Sequence, residues 1–142
     1  MTDAPEYDVT LADWSALTAY VKARWPEAEM GEDGASFSLL WKWDDSKRTQ
    51  MLLVRTLRLA ERPWVEWTSA LAERKNIDLE TAVTAIENAV LGRLERDEKY
   101  YCLSHLARFE GLTPRLFDEL TSLFAGTCDN LEEELTGGRD VH

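Results

Sequence analysis

The chain of 142 residues and 16.3 kDa has the size of one domain, and 44% apolar with 30% charged residues fits a single folded core. Asp and Glu total 27 against 16 Lys and Arg, a formal charge of −11 that repels phosphate and argues against nucleic-acid or anionic-membrane partners. No apolar run approaches the ~20 residues that span a bilayer, residues 1–10 lack a charged-then-apolar export pattern, and two cysteines make no disulfide scaffold, so the expected compartment is a reducing cytoplasm.

Residues 1–9 read as a loose, flexible acidic lead to a single domain over 10–136, with 137–142 as a tail. Thr10 is a candidate N-cap with Asp13 three residues on. Leu11, Trp14, Leu17, Val21 and Trp25 then step by three or four as one helical stripe, stopped by Pro26. From Ala35 the period becomes two: Phe37, Leu39, Trp41 and Trp43 alternate with Ser36, Ser38 and Lys42, a half-buried strand. Asp44-Asp45-Ser46-Lys47 is a turn signal. A second strand is expected over Thr49 to Leu59, with Met51, Leu53, Leu57 and Leu59 on one face and Arg55 intruding. A third covers Trp64 to Ala70, after a tight connection at Glu61-Arg62-Pro63. Short connections make the three an antiparallel meander.

Asp78 is a candidate N-cap for a second amphipathic helix carrying Leu79, Ala82, Val83, Ile86 and Val90, with Gly92 as its expected stop. Arg93 to Arg96 and Tyr100 to Ala107 read as strands around an Asp97-Glu98-Lys99 turn. Thr113-Pro114 pairs a capping hydroxyl with proline at the first helical position. The long stripe from Leu116 to Leu135 then runs to Gly137-Gly138. The expected fold is α+β in the order α-β-β-β-α-β-β-α, an antiparallel sheet with helices packed mainly on one face. Leu11, Trp14, Leu17, Leu53, Ile86, Leu120 and Phe124 are expected in its core.

This order, with Trp64 to Ala70 as third strand, Leu79 to Val90 as middle helix, the Leu91-Gly92-Arg93-Leu94 and Tyr100-Tyr101-Cys102-Leu103 hairpin, and Leu112-Thr113-Pro114 leading the last helix into Glu132-Glu133-Glu134, resembles the type III secretion chaperone-like fold and the YbjN-like bacterial proteins that share it. The resemblance spans roughly Leu11 to Leu135. It implies a protein that binds extended segments of partner proteins, commonly as a homodimer, or a regulator of the same fold.

Catalytic and metal-binding patterns are weak. On a strand, Cys102 and His105 would face opposite ways, as would Ser104 and His105, so neither pair converges on a metal or forms part of a triad. Cys128 lies in the apolar stripe of the last helix, an inert position. Glu66, between Trp64 and Trp67, reads as a solvent-face residue, with a carboxyl in an apolar pocket as the functional alternative. No cofactor, metal or catalytic residue is expected. The tryptophans carry the remaining signal. Trp41, Trp43, Trp64 and Trp67 lie on strands of one sheet and are the candidate partner-binding residues; Trp64 and Trp67 differ in parity, so they cannot both point inward. The expected function is non-enzymatic protein binding, chaperone-like or regulatory, to an extended apolar segment, with the acidic last helix as a charged rim. A small-ligand binder or enzyme with a pocket lined by Trp41, Trp43 and Trp67 is the alternative. A homodimer through the sheet edge or the middle helix is expected.

Overall fold

Six strands and four helices are set out in a computed structural model that describes residues 4–43, 48–89 and 91–137. Strands β1 (Glu29–Met30), β2 (Ser36–Lys42), β3 (Thr49–Leu59), β4 (Arg62–Glu73), β5 (Arg93–Arg96) and β6 (Tyr100–Arg108) form one antiparallel sheet in the order β1-β2-β3-β4-β6-β5. The helices are α1 (Ala4–Tyr7), α2 (Trp14–Arg24), α3 (Leu79–Ile86) and α4 (Pro114–Thr136). The expected α+β order is present, extended by the single turn α1 and the two-residue β1. The Asp44–Lys47 turn, Val90 and residues 138–142 lie outside the described residues.

Capping chemistry sets the helix ends. The cap of α2 is Asp13, not Thr10: its carboxylate accepts from the Ala16 N–H at 2.9 Å. Leu11 therefore precedes the helix, and its N–H donates to the Leu112 carbonyl at 2.8 Å. Asp78 caps α3 by accepting from the Thr81 N–H at 2.8 Å, but the helix ends at Ile86, short of Gly92. Thr113 caps α4 by accepting from the Leu116 N–H at 3.0 Å. Gly137 closes that helix at φ 68°, a left-handed geometry that suits glycine, with its N–H on the Glu133 carbonyl.

Strand register decides which face is core. Phe37 pairs with Val54, Leu39 with Leu52, Trp41 with Gln50, Val54 with Trp67, and Trp67 with His105. Paired residues share a face, and this one is covered by the helices. Leu17 and Val21 of α2 and Phe117, Phe124 and Cys128 of α4 join Phe37, Leu52, Val54, Val65, Trp67 and Leu103 in a buried cluster. Phe117 stands among three rings, stacked on Trp67 at 5.7 Å and lying 6.3 Å from Phe37 and 6.2 Å from Trp25.

Several expectations are corrected. Leu53 is 44% exposed, because the buried residues of β3 are Gln50, Leu52 and Val54; the stripe Met51, Leu53, Leu57, Leu59 faces away from the helices. Leu11, Trp14, Ile86 and Leu120 pack against the core but remain partly exposed. The β3–β4 connection is Ala60-Glu61, both at positive φ (52° and 63°), and Pro63 belongs to β4. Two residues of the N-terminal lead contact α4: Tyr7 donates to Asp118 at 2.7 Å, and Asp8 pairs with Arg115 at 2.5 Å.

Candidate partner-binding surfaces

The first surface follows from the shortness of β1. Its two residues pair with Ser38 and Phe37 alone, so β2 from Leu39 to Lys42 has no strand on its outer side among the described residues. Alternate residues of such an edge direct their N–H and C=O groups outward. Beside this edge, the C-terminal end of α2, the turn that follows it and α4 frame a groove of about 510 Å³. Its walls include Trp25, Pro26, Leu39, Trp41, Trp43 and Ser122. Trp25 and Trp41 meet at 6.2 Å between ring centroids, and the Arg24 guanidinium lies 5.0 Å over the Trp25 ring. Lys42 and Glu27 form an exposed ion pair at 3.6 Å on the rim. The Trp41 indole N–H is buried with no acceptor among the described residues.

Of the four candidate tryptophans, the fold brings Trp41 and Trp43 together in this groove and separates the other two. Trp64 is half-buried on the helix-free face, its indole N–H donating to the Leu59 carbonyl at 3.1 Å. Trp67 is fully buried: its N–H donates to the Thr121 hydroxyl at 2.9 Å and its ring packs on Phe117. It therefore has no surface to offer a partner and lines no pocket with Trp41 and Trp43. The opposite parity of Trp64 and Trp67 expected from the sequence is what the sheet shows. Trp25 completes the groove instead. The available signal was its place at the end of the helical stripe, next to Pro26, where a helix stops covering its neighbours.

The second surface is the sheet face without helices. Met51, Leu53 and Leu59 are 40–44% exposed there. Register adds Leu40, Leu57, Trp64 and Leu106, all half-buried, to the same face. At its centre Glu66 is only 3% exposed, although its parity is that of the open face. Neighbours rather than helices cover it: Arg55 Nε donates to one carboxylate oxygen at 2.6 Å and Arg93 Nη2 to the other at 3.4 Å. Arg93 also donates to Glu95 at 2.6 Å. A carboxylate with guanidinium groups on both oxygens is held in a fixed orientation, so Glu66 is neither the solvent-face residue nor the apolar-pocket acid that the sequence suggested.

Elsewhere, burial quenches reactivity. It raises the Cys102 thiol to about 11 and the Cys128 thiol well above its ordinary value, so both stay protonated at neutral pH. Burial also lowers His105, which lies on the core face, whereas Cys102 and Ser104 lie on the other. Among the described residues no group of three or more His, Cys, Asp or Glu is placed to hold a metal, and no helix is long and apolar enough to cross a membrane. The acidic end of α4 is not a uniform rim: Glu132 is 3% exposed and Glu133 pairs with Arg48 at 3.2 Å, while Glu134 is exposed.

No family model matches the sequence, and no curated protein matches it either. Among solved structures it is similar to the crystal structure of the Yersinia pestis type III secretion chaperone SycH in complex with a stable fragment of YscM2. The TM-score is 0.53 at 11% identity, over 84% of this chain and 99% of that one. At that identity the likeness speaks for architecture alone, and the architecture is secretion-chaperone-like: an antiparallel sheet with its helices on one side.

Proposed function

We propose that this chain is a non-enzymatic protein-binding module, chaperone-like or regulatory in the manner of the YbjN-like bacterial proteins its sequence pattern resembles. It takes an extended apolar segment of a partner protein along the free edge of β2. The observation that carries this reading is the outer edge of Leu39 to Lys42, which has no strand on it among the described residues and lies against the groove of Trp25, Trp41 and Trp43. An added strand satisfies its own backbone on the edge, and its alternate side chains enter the aromatic groove. Large aromatic rings suit that role because they bury much area while losing few rotamers. A carbonyl or amide oxygen from the partner, with a small shift of the ring, gives the Trp41 N–H an acceptor. An unsatisfied buried donor costs roughly 1–3 kcal/mol, so this is a gain realised only on binding.

The SycH structure contains a fragment of a second protein, which accords with partner binding on this architecture. A homodimer belongs to the same proposal. Leu79 and Val83 of α3 are 45% and 41% exposed beside the β5 edge, and a two-fold contact through α3 would cover both copies of each.

The decisive test takes the protein that co-purifies reproducibly with the tagged chain from its native host. Backbone hydrogen exchange is then compared with and without it. The expected result is slowed exchange at Leu39 to Lys42. Slowing confined to the helices, with the β2 edge unchanged, refutes strand addition. For the dimer, sedimentation at micromolar concentration gives a species near twice 16.3 kDa, and a single species at 16.3 kDa refutes it.

A further inference from the structure

The helix-free sheet face is separate from the β2 edge, and its contents specify a different occupant. Its centre is an oriented arginine. Arg55 gives its Nε to Glu66, and its two terminal nitrogens have no hydrogen-bond partner among the described residues. Leu53 and Leu57 flank it two residues away along the strand on the same face. The side chain is 52% exposed while the carboxylate that orients it is 4% exposed, so the surface presents the cation and hides the anion. Lys42, Arg62, Arg93 and Arg108 share this face by register, all half or more exposed as side chains. Each of these four is already paired, Lys42 with Glu27, Arg62 and Arg108 with Glu110, and Arg93 with Glu66 and Glu95, which leaves Arg55 as the cation whose terminal nitrogens carry no carboxylate among the described residues.

A sheet face offers side chains but no free backbone groups at its centre, where β3 and β4 each have a paired strand on both sides. Whatever lies across it must satisfy its own backbone hydrogen bonds. A helix does so; an extended segment does not. Five strands, from β2 to β5, span roughly 19 Å at ~4.8 Å spacing, and a helix of about 14 residues is ~21 Å long. We propose that this face docks an acidic amphipathic helix of a partner protein, its apolar side against Met51, Leu53, Leu57 and Leu106 and one carboxylate on the terminal nitrogens of Arg55. A guanidinium fixed by a buried partner keeps its fork in place for a second carboxylate, and bidentate pairing of that kind is strong and geometrically selective. The chain's overall negative charge opposes approach only within the screening length, roughly 8 Å at physiological salt.

The probe is a blocked 15-residue synthetic helix with leucines on one side and glutamates on the other, compared with its lysine counterpart. Binding of the glutamate peptide is expected to shift the amide NMR signals of Leu53, Arg55, Thr68 and Leu106, at least tenfold tighter than the lysine peptide. Arg55→Gln is expected to weaken the glutamate peptide tenfold or more and leave the lysine peptide unchanged. Leu53→Ser, at a position already exposed, supplies a second variant with the same expected loss should Arg55→Gln fail to fold. Equal affinity for the two peptides, shifts centred on Trp25 and Trp41, or no binding up to about 1 mM overturns the proposal. So does a dimer that Leu53→Ser converts to a monomer, because the face then belongs to a second copy.

Discussion

Phe117 is the residue whose loss tests the architecture most sharply. It is fully buried on α4 and meets Trp67 from β4, Phe37 from β2 and Trp25 from the end of α2. Phe117→Ala removes the transfer free energy of a phenyl ring and leaves a cavity whose walls are rigid rings anchored on three different elements. Such walls collapse poorly, which places the cost in the upper part of the usual 3–5 kcal/mol range, about 4 kcal/mol. Unfolding entropy near 2.1 cal/mol/K per residue gives this chain about 0.3 kcal/mol/K, so the melting temperature should fall by about 13 °C. Urea unfolding followed by tryptophan fluorescence measures the change, and an unaltered m-value shows that the denatured state is not its source. A loss below about 1.5 kcal/mol would mean that Phe117 does not join α4 to the sheet, and the assignment of the core face would fall with it.

Four further outcomes are expected. Leu52→Ala should cost on the order of 2–5 kcal/mol by urea melting, while Leu53→Ala, one residue away on the open face, should cost under about 1 kcal/mol; equal costs would refute the face assignment. Replacing Ala60-Glu61 by Asn-Gly should raise stability by about 1 kcal/mol, since both residues now hold positive φ without the side chains that tolerate it. Thr113→Ala should cost about 1 kcal/mol through the lost cap of α4. Cys102 should react slowly with a disulfide reagent at pH 8, and Cys128 only after unfolding. Because folding raises the Cys102 pKa from about 9 to about 11, its contribution to stability is complete below pH 9 and lost as pH rises towards 11; a fast native reaction of both thiols would contradict this.

Local chemistry proved legible where it is decided by neighbours in sequence. Thr113-Pro114 and Gly137 bound the last helix because an N-cap hydroxyl, a ring-locked φ and a left-handed cap act within a few residues. The extent of β3 and the opposite facing of Trp64 and Trp67 follow from period two. What period two does not carry is which face the helices choose. Met51, Leu53, Leu57 and Leu59 are the larger apolar set on β3, yet Gln50, Leu52 and Val54 are buried, because they pair with Trp41, Leu39 and Phe37 in turn, whose own strand alternates against serines. Reading the two strands as a registered pair would have resolved it. The groove was half legible for a similar reason: Trp41 and Trp43 announce an aromatic strand end, whereas the meeting of Trp25 with Trp41 depends on how α2 lies across the sheet. Glu66 was misplaced because its cover comes from Arg55 and Arg93, eleven and twenty-seven residues away.

The tether between the two ends of the domain bears on how the chain folds as it is made. Tyr7 and Tyr20 both donate to Asp118, and the ring cluster beneath them is completed by Phe117. The hairpins β2–β3 and β3–β4 join near neighbours and can pair as soon as they emerge, but the layer above them cannot close until α4 has left the ribosome. Through that interval the apolar side of the young sheet has no α4 to cover it, and residues separated by 98 and 111 positions must still find each other. Contacts of such long sequence separation slow folding and prolong the exposure of sticky intermediates. The interval before α4 docks is therefore the most aggregation-prone one for this sheet, and any mutation that delays the docking lengthens it.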